Sequence, residues 1–139
     1  MNSPSIGVPN SQTRVVFIRH TGFEKEVKRF TGKVRSFGEA LAALERLLTV
    51  QFNPVNPQIV ITPKNLHKVH VSVEYELWKV NCVATKGLRR SQMPRIYFAR
   101  RGTEVFFLCM GGHIKNYDDG KLRDLALYRV QTFFDVNNE

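Results

Sequence analysis

The chain has 139 residues and a mass of 16.0 kDa, which suits one hydrophobic core and leaves no room for two. Apolar residues make up 42% and charged residues 24%, with ten Phe and one Trp, enough to bury a core and to exclude a disordered chain. Twenty-one Lys and Arg against twelve Asp and Glu leave a charge of +9, outside the balance of an enzyme acting on a neutral metabolite, so a polyanion is the first partner to consider.

Residues 1–12 are rich in Ser, Asn, Pro and Gly without periodicity and read as a flexible tail, leaving 13–139 as a single domain. The opening MNSPSIGVPNSQT has neither a basic start nor an apolar centre, and no run of about 18 or more apolar residues exists, so neither a signal peptide nor a membrane span is predicted. The expected compartment is the cytoplasm. Arg14 to Arg19 (RVVFIR) predicts a first strand. Phe23, Val27 and Phe30 then recur at helical spacing, and the helix is expected to end near Gly32. Ser36 and Glu39 form an S-x-x-E capping box ahead of a second helix, whose apolar face runs from Phe37 and Ala40 through Leu48.

Prolines at 54, 57 and 63 stop that helix and leave Gln58 to Thr62 as a short extended piece. From Val71 the apolar positions alternate and then change parity at Trp78, which predicts one long strand with a bulge or register shift. Lys86 to Pro94 is a basic connection. Arg95 to Arg100 is the next strand, and Arg101-Gly102-Thr103 a turn. Glu104 to Met110 (EVFFLCM) reads as a central strand covered on both faces. Asp118 or Asp119 can cap a last helix in which Leu122, Leu125, Ala126, Arg129, Val130 and Phe133 cover roughly one stripe. The expected class is α+β: an antiparallel sheet of about four strands, with two N-terminal helices and a C-terminal helix packed on it. Cys82 and Cys109 sit in apolar runs without metal or redox spacing and are predicted to be reduced, buried thiols.

The charge is unevenly placed. Lys79, Lys86, Arg89, Arg90, Arg95, Arg100 and Arg101 fall within 23 residues without one Asp or Glu among them. Such a stretch favours phosphate contact over a merely solvated face, although an acidic protein would satisfy the same charges.

The order strand, helix, helix, then ELWKV (Glu76 to Val80), RIYFARRG (Arg95 to Gly102) and VFFLCMGGHIKN (Val105 to Asn116) resembles the RelE/ParE superfamily of type II toxin-antitoxin toxins, over about residues 14–133. GGHIKNYDDGKLRDLALYR resembles the end of the HigB-like branch. Two departures stand out: Pro94 occupies the place of the usual aromatic before the strand arginine, and the Cys82 to Met93 connection is longer and more basic.

The resemblance implies a toxin held in check by a cognate antitoxin in a hetero-oligomer. Relatives resembling RelE and HigB are endoribonucleases that cut mRNA on the ribosome and so inhibit translation, whereas those resembling ParE poison DNA gyrase. RNA cleavage by the adjacent 2′-hydroxyl needs a proton acceptor, cationic stabilisation of the phosphorane and a donor to the leaving 5′-oxygen, and calls for neither metal nor cofactor. Arg95 matches the family's strand arginine. His113, Lys115 and Tyr117, expected to leave the sheet beside Lys79 and Arg95, complete the catalytic candidates. Lys86, Arg89, Arg90, Arg100 and Arg101, in or next to turns, are expected to contact RNA backbone. Tyr75 and Tyr97 read as packing aromatics. His67-x-x-His70 alone makes no zinc site, and neither a phosphate-cradling glycine loop nor a G-x-S-x-G elbow is present. The alternatives that remain are a gyrase-directed toxin and a non-catalytic basic nucleic-acid-binding module.

Overall fold

The computed structural model describes residues 14–111 and 118–134. Its elements are β1 (Val16–Arg19), α1 (Thr21–Lys33), α2 (Phe37–Gln51), β2 (Leu66–Val71), β3 (Glu76–Val80), β4 (Arg95–Arg101), β5 (Glu104–Gly111) and α3 (Asp119–Phe134). A single 3₁₀ turn at Arg90–Gln92 precedes β4. The class is α+β, with the five strands in the order β1-β5-β4-β3-β2.

The sheet has apolar side chains on both faces, and each face is covered. Phe23 and Phe30 of α1 and Leu41, Leu44 and Leu48 of α2 pack on Val80, Ile96, Phe98, Val105 and Phe107. On the opposite face Ala126, Val130 and Phe134 of α3 close over Leu77, Tyr97, Ala99, Phe106 and Leu108. Residues 105–110 are all buried, as the unbroken apolar run of β5 predicts.

Three expectations require correction. The sheet is mixed and has five strands, because β1 pairs parallel with β5, Val16 to Arg19 lying opposite Glu104 to Phe107. The two-residue turn at Gly102 and Thr103 fixes the antiparallel sense of β4 and β5, and β3 pairs antiparallel with β4 across the longer connection 81–94, but β1 joins the sheet only through two helices and no hairpin sets its direction. The single long strand from Val71 is instead the hairpin of β2 and β3. Its turn is closed by the Ser72 N–H donating to the Tyr75 carbonyl at 2.8 Å and the Glu74 N–H donating to Ser72 Oγ at 3.0 Å. Alternating Val71, Val73 and Tyr75 hide that turn in the sequence, and Val73 at its tip is fully exposed. Gln58 to Thr62 forms no strand; Gln51 Oε1 accepts the Val60 and Ile61 N–H groups at 3.1 and 2.9 Å.

The capping box is a fourth. Ser36 is the N-cap of α2 but makes no side-chain cap bond. Its hydroxyl donates to the Lys86 carbonyl at 2.8 Å, tying the helix start to the basic connection. The α1 cap is His20, whose Nδ1 accepts the Gly22 N–H at 2.9 Å.

One irregularity shapes the site. The β4–β5 ladder pairs Tyr97 with Cys109 and Phe98 with Phe107, so Leu108 is an extra residue in β5. Beyond Phe107 this strand has no β1 partner. Its edge groups are satisfied by side chains: the Leu108 carbonyl accepts from Arg129 at 2.8 Å, and the Met110 N–H donates to Glu26 at 3.1 Å.

Candidate functional site

Strand alternation places Lys79 of β3 on the same face as Leu77, and the antiparallel ladder sets Tyr97 of β4 directly opposite it. Two residues earlier in β4, Arg95 lies on that face too. These side chains emerge where β3 ends and β4 begins. There they border an open groove of about 640 Å³ lined by Lys79, Asn81, Cys82, Arg90, Ser91, Arg95 and Asp119.

Asp119, in the first turn of α3, organises the floor. Its carboxylate pairs with Lys79 Nζ at 2.7 Å and accepts from the Tyr97 hydroxyl at 3.0 and 3.1 Å. The Lys79 side chain is only 13% exposed, against 43% for Asp119. Its ammonium lies 5.7 Å from the Tyr97 ring centroid. Burial, and after it the bond to Asp119, push the Tyr97 hydroxyl well above the usual tyrosine range. The Cys109 thiol behind it is fully buried and likewise pushed up, chiefly by burial.

The connection carrying Arg90 is braced. Asn65 donates to the Cys82 carbonyl at 3.0 Å and accepts the Cys82 N–H at 2.7 Å. The Val83 N–H reaches the Pro94 carbonyl at 2.9 Å, and Gln92 accepts the Arg89 N–H at 2.9 Å. Cys82 is half-buried beyond the end of β3, not buried within a strand as its sequence context predicts.

Of the candidates, the fold brings Lys79, Arg95 and Arg90 to one groove. Lys86 lies elsewhere, in a cleft with Ser36, Glu39, Ala40 and Arg46 of α2. Arg89 is exposed on the connection and does not line the groove. Arg100 and Arg101 sit at the far end of β4, about 16 to 20 Å from Arg95 at strand rise. Arg100 is not in a turn: it pairs with Glu76 at 3.1 Å and lies 4.5 Å from the Phe52 ring centroid. Arg101 pairs with Glu104 at 2.9 Å. His113, Lys115 and Tyr117 lie outside the described residues. The ends flanking them are placed: Gly111 is the ladder partner of Arg95, and Asp119 is at the groove.

Sequence reasoning missed Asp119 as a site residue and read Tyr97 as packing alone. The Tyr97 ring is indeed buried, 1% exposed, but its hydroxyl is committed to Asp119. Strand alternation could have found Tyr97 beside Lys79; nothing local announces Asp119, 40 residues beyond Lys79 in the chain.

Among the described residues no three His, Cys, Asp or Glu side chains converge as metal ligands, and no described helix is long and apolar enough to cross a membrane. No family model matches the chain, and neither a curated protein nor a solved structure matches it.

Proposed function

We propose that the chain is the toxin of a type II toxin-antitoxin pair of RelE type, and that it cleaves mRNA on the ribosome. The observation that carries this reading is the groove in which Lys79, Arg90 and Arg95 meet; Gly111, the ladder partner of Arg95, leads in sequence into His113, Lys115 and Tyr117. In the reaction the 2′-oxygen attacks phosphorus, the bond to the 5′-oxygen breaks, and a 2′,3′-cyclic phosphate and a 5′-hydroxyl result. Arg95 and Lys79 stabilise the charge that grows on the phosphate oxygens. His113 takes the 2′-hydroxyl proton, and Lys115 or Tyr117 supplies one to the leaving oxygen. A cognate antitoxin with an acidic segment covers the groove in the inhibited complex.

Incubation with translating ribosomes, followed by mapping of mRNA ends, tests the reading. Cleavage with 5′-hydroxyl ends is expected. Arg95→Ala should abolish it, and His113→Ala should slow it on the order of 10²- to 10⁴-fold. Intact mRNA together with inhibited gyrase supercoiling would replace this reading with the ParE-type one.

A further inference from the structure

We propose that the Asp119 carboxylate is a built-in stand-in for an RNA phosphate, and that phosphodiester binding exchanges it for a phosphate on Lys79 Nζ and the Tyr97 hydroxyl. The ligand class rests on the nuclease reading above; the exchange rests on geometry.

The anion and the cation of this pair are not equivalent. Lys79 is fixed in the sheet and nearly covered, and an ammonium in that position requires an anion beside it. Asp119 comes from the first turn of a helix, is 43% exposed, and borders the groove, so another anion can reach the same two donors. Lys79 and Tyr97 present an N–H and an O–H to one oxyanion, and a phosphate oxygen accepts both as well as a carboxylate does. Arg90 and Arg95 line the same groove, and among the described residues that line it Asp119 is the single carboxylate. Asp119 is also dispensable as a cap. Asp118 accepts the Lys121 N–H on its side chain at 3.2 Å and the Leu122 N–H on its carbonyl at 3.1 Å, so α3 keeps its N-terminal bonds when Asp119 swings away.

The exchange has an electrostatic signature. In the wild type the phosphate that Lys79 neutralises gives up its condensed cation, but the displaced Asp119 carboxylate stays beside the strand and retains a cation there, which offsets the release. In Asp119→Asn that offset is gone, and the cation freed from the RNA counts in full. The log-log salt slope for a single strand should then steepen by about 0.7, one extra phosphate contact.

The test is binding of the full chain to a 2′-O-methyl RNA strand, which lacks the attacking hydroxyl, across a salt series, with ribosomal mRNA cleavage measured in parallel. Asp119→Asn should bind on the order of five- to tenfold tighter at low salt, with the steeper slope. Adding Lys79→Gln should return both to wild-type values, and Tyr97→Phe should weaken binding. If asparagine compromises folding, as read by circular dichroism, Asp119→Ser takes its place, since Asp118 still caps the helix. Wild-type cleavage with unchanged affinity and slope in the Asp119 variant would overturn the exchange and leave the nuclease reading standing. The predicted gain without any cleavage would sustain the exchange and overturn the nuclease. Absence of binding by both proteins would overturn both.

Discussion

Replacing Glu26 by Ala should destabilise the protein far more than a surface ion pair would. The Glu26 carboxylate is bonded twice by Arg129, at 3.1 Å through Nη1 and 3.0 Å through Nη2, and accepts the Met110 N–H. The two side chains are 18% and 14% exposed, so removing one partner strands a mostly buried charge. Breaking a fully buried pair costs roughly 3–5 kcal/mol, and an orphaned backbone N–H about 1–3 kcal/mol. Residual exposure discounts the first figure, and together they put Glu26→Ala at about 3 kcal/mol. For a domain of this size that lowers Tm by roughly 10–15 °C. Urea unfolding followed by the fluorescence of Trp78, the chain's sole tryptophan, gives the free energy. Hydrogen exchange at Met110 reports the lost acceptor directly. Glu26→Leu combined with Arg129→Met should cost less than the sum of the singles, with a coupling of about 2 kcal/mol. A single-variant cost below about 1 kcal/mol, or strict additivity in the pair, would refute this account of how the free edge of β5 is closed.

Four further outcomes follow from the same geometry. His20 is held below the ordinary histidine value of 6.5, first by burial and then by Arg129, with Glu26 opposing; the unfolded chain therefore takes up the proton first, and stability should fall as pH drops below about 6.5. Proton NMR titration of the His20 ring should show its pKa rising in Arg129→Met. At the alkaline end Tyr97 and Cys109 are held above their usual ranges, so stability present below pH 9 should be lost as pH rises past 9 to 10, in urea midpoints measured across that range. Gly22→Ala should destabilise despite the better helix propensity of alanine, because an added Cβ would collide with the Arg129 guanidinium, which Glu26 and the Leu108 carbonyl hold in place; a higher Tm in this variant would contradict that pinning. Asn65→Ala, which frees Cys82, should weaken RNA binding while leaving the salt slope unchanged, since it removes no charge.

What the sequence disclosed follows from which interactions are local. The face of α2 is written in its own spacing: Phe37, Ala40, Leu41, Leu44 and Leu48 are buried, while Leu47, read onto the same face, is exposed. The unbroken apolar run of β5 states its coverage on both faces. β2 was illegible because LHKVHV carries polar side chains suited to a solvent-facing edge strand, with no regular alternation. A bulge between Lys68 and His70 blurs its period further. The Ser36 box failed for a tertiary reason, since its hydroxyl found a carbonyl 50 residues away. Arg95 and Lys79 could be placed on one face from alternation alone. The Asp119 contact could not, because it depends on how α3 lies across the sheet.

Charge is where sequence and space diverge most. Three of the seven cations from Lys79 to Arg101 look uncompensated only because the chain is read linearly. Lys79, Arg100 and Arg101 are neutralised by Asp119, Glu76 and Glu104, all outside that stretch. Lys86, Arg89 and Arg90 make no ion pair among the described residues, and all three are exposed on the connection between β3 and β4. The positive potential therefore concentrates on that connection and the mouth of the groove, not along the whole of β4. The connection is clamped at Asn65, Pro94, Gln92 and Ser36. Its backbone is thus already ordered, so the polyanion binding proposed above would have little loop entropy left to overcome. A long basic connection held this way turns scattered charge into an oriented surface, which is the property a phosphate-tracking site requires and a solubilising face does not.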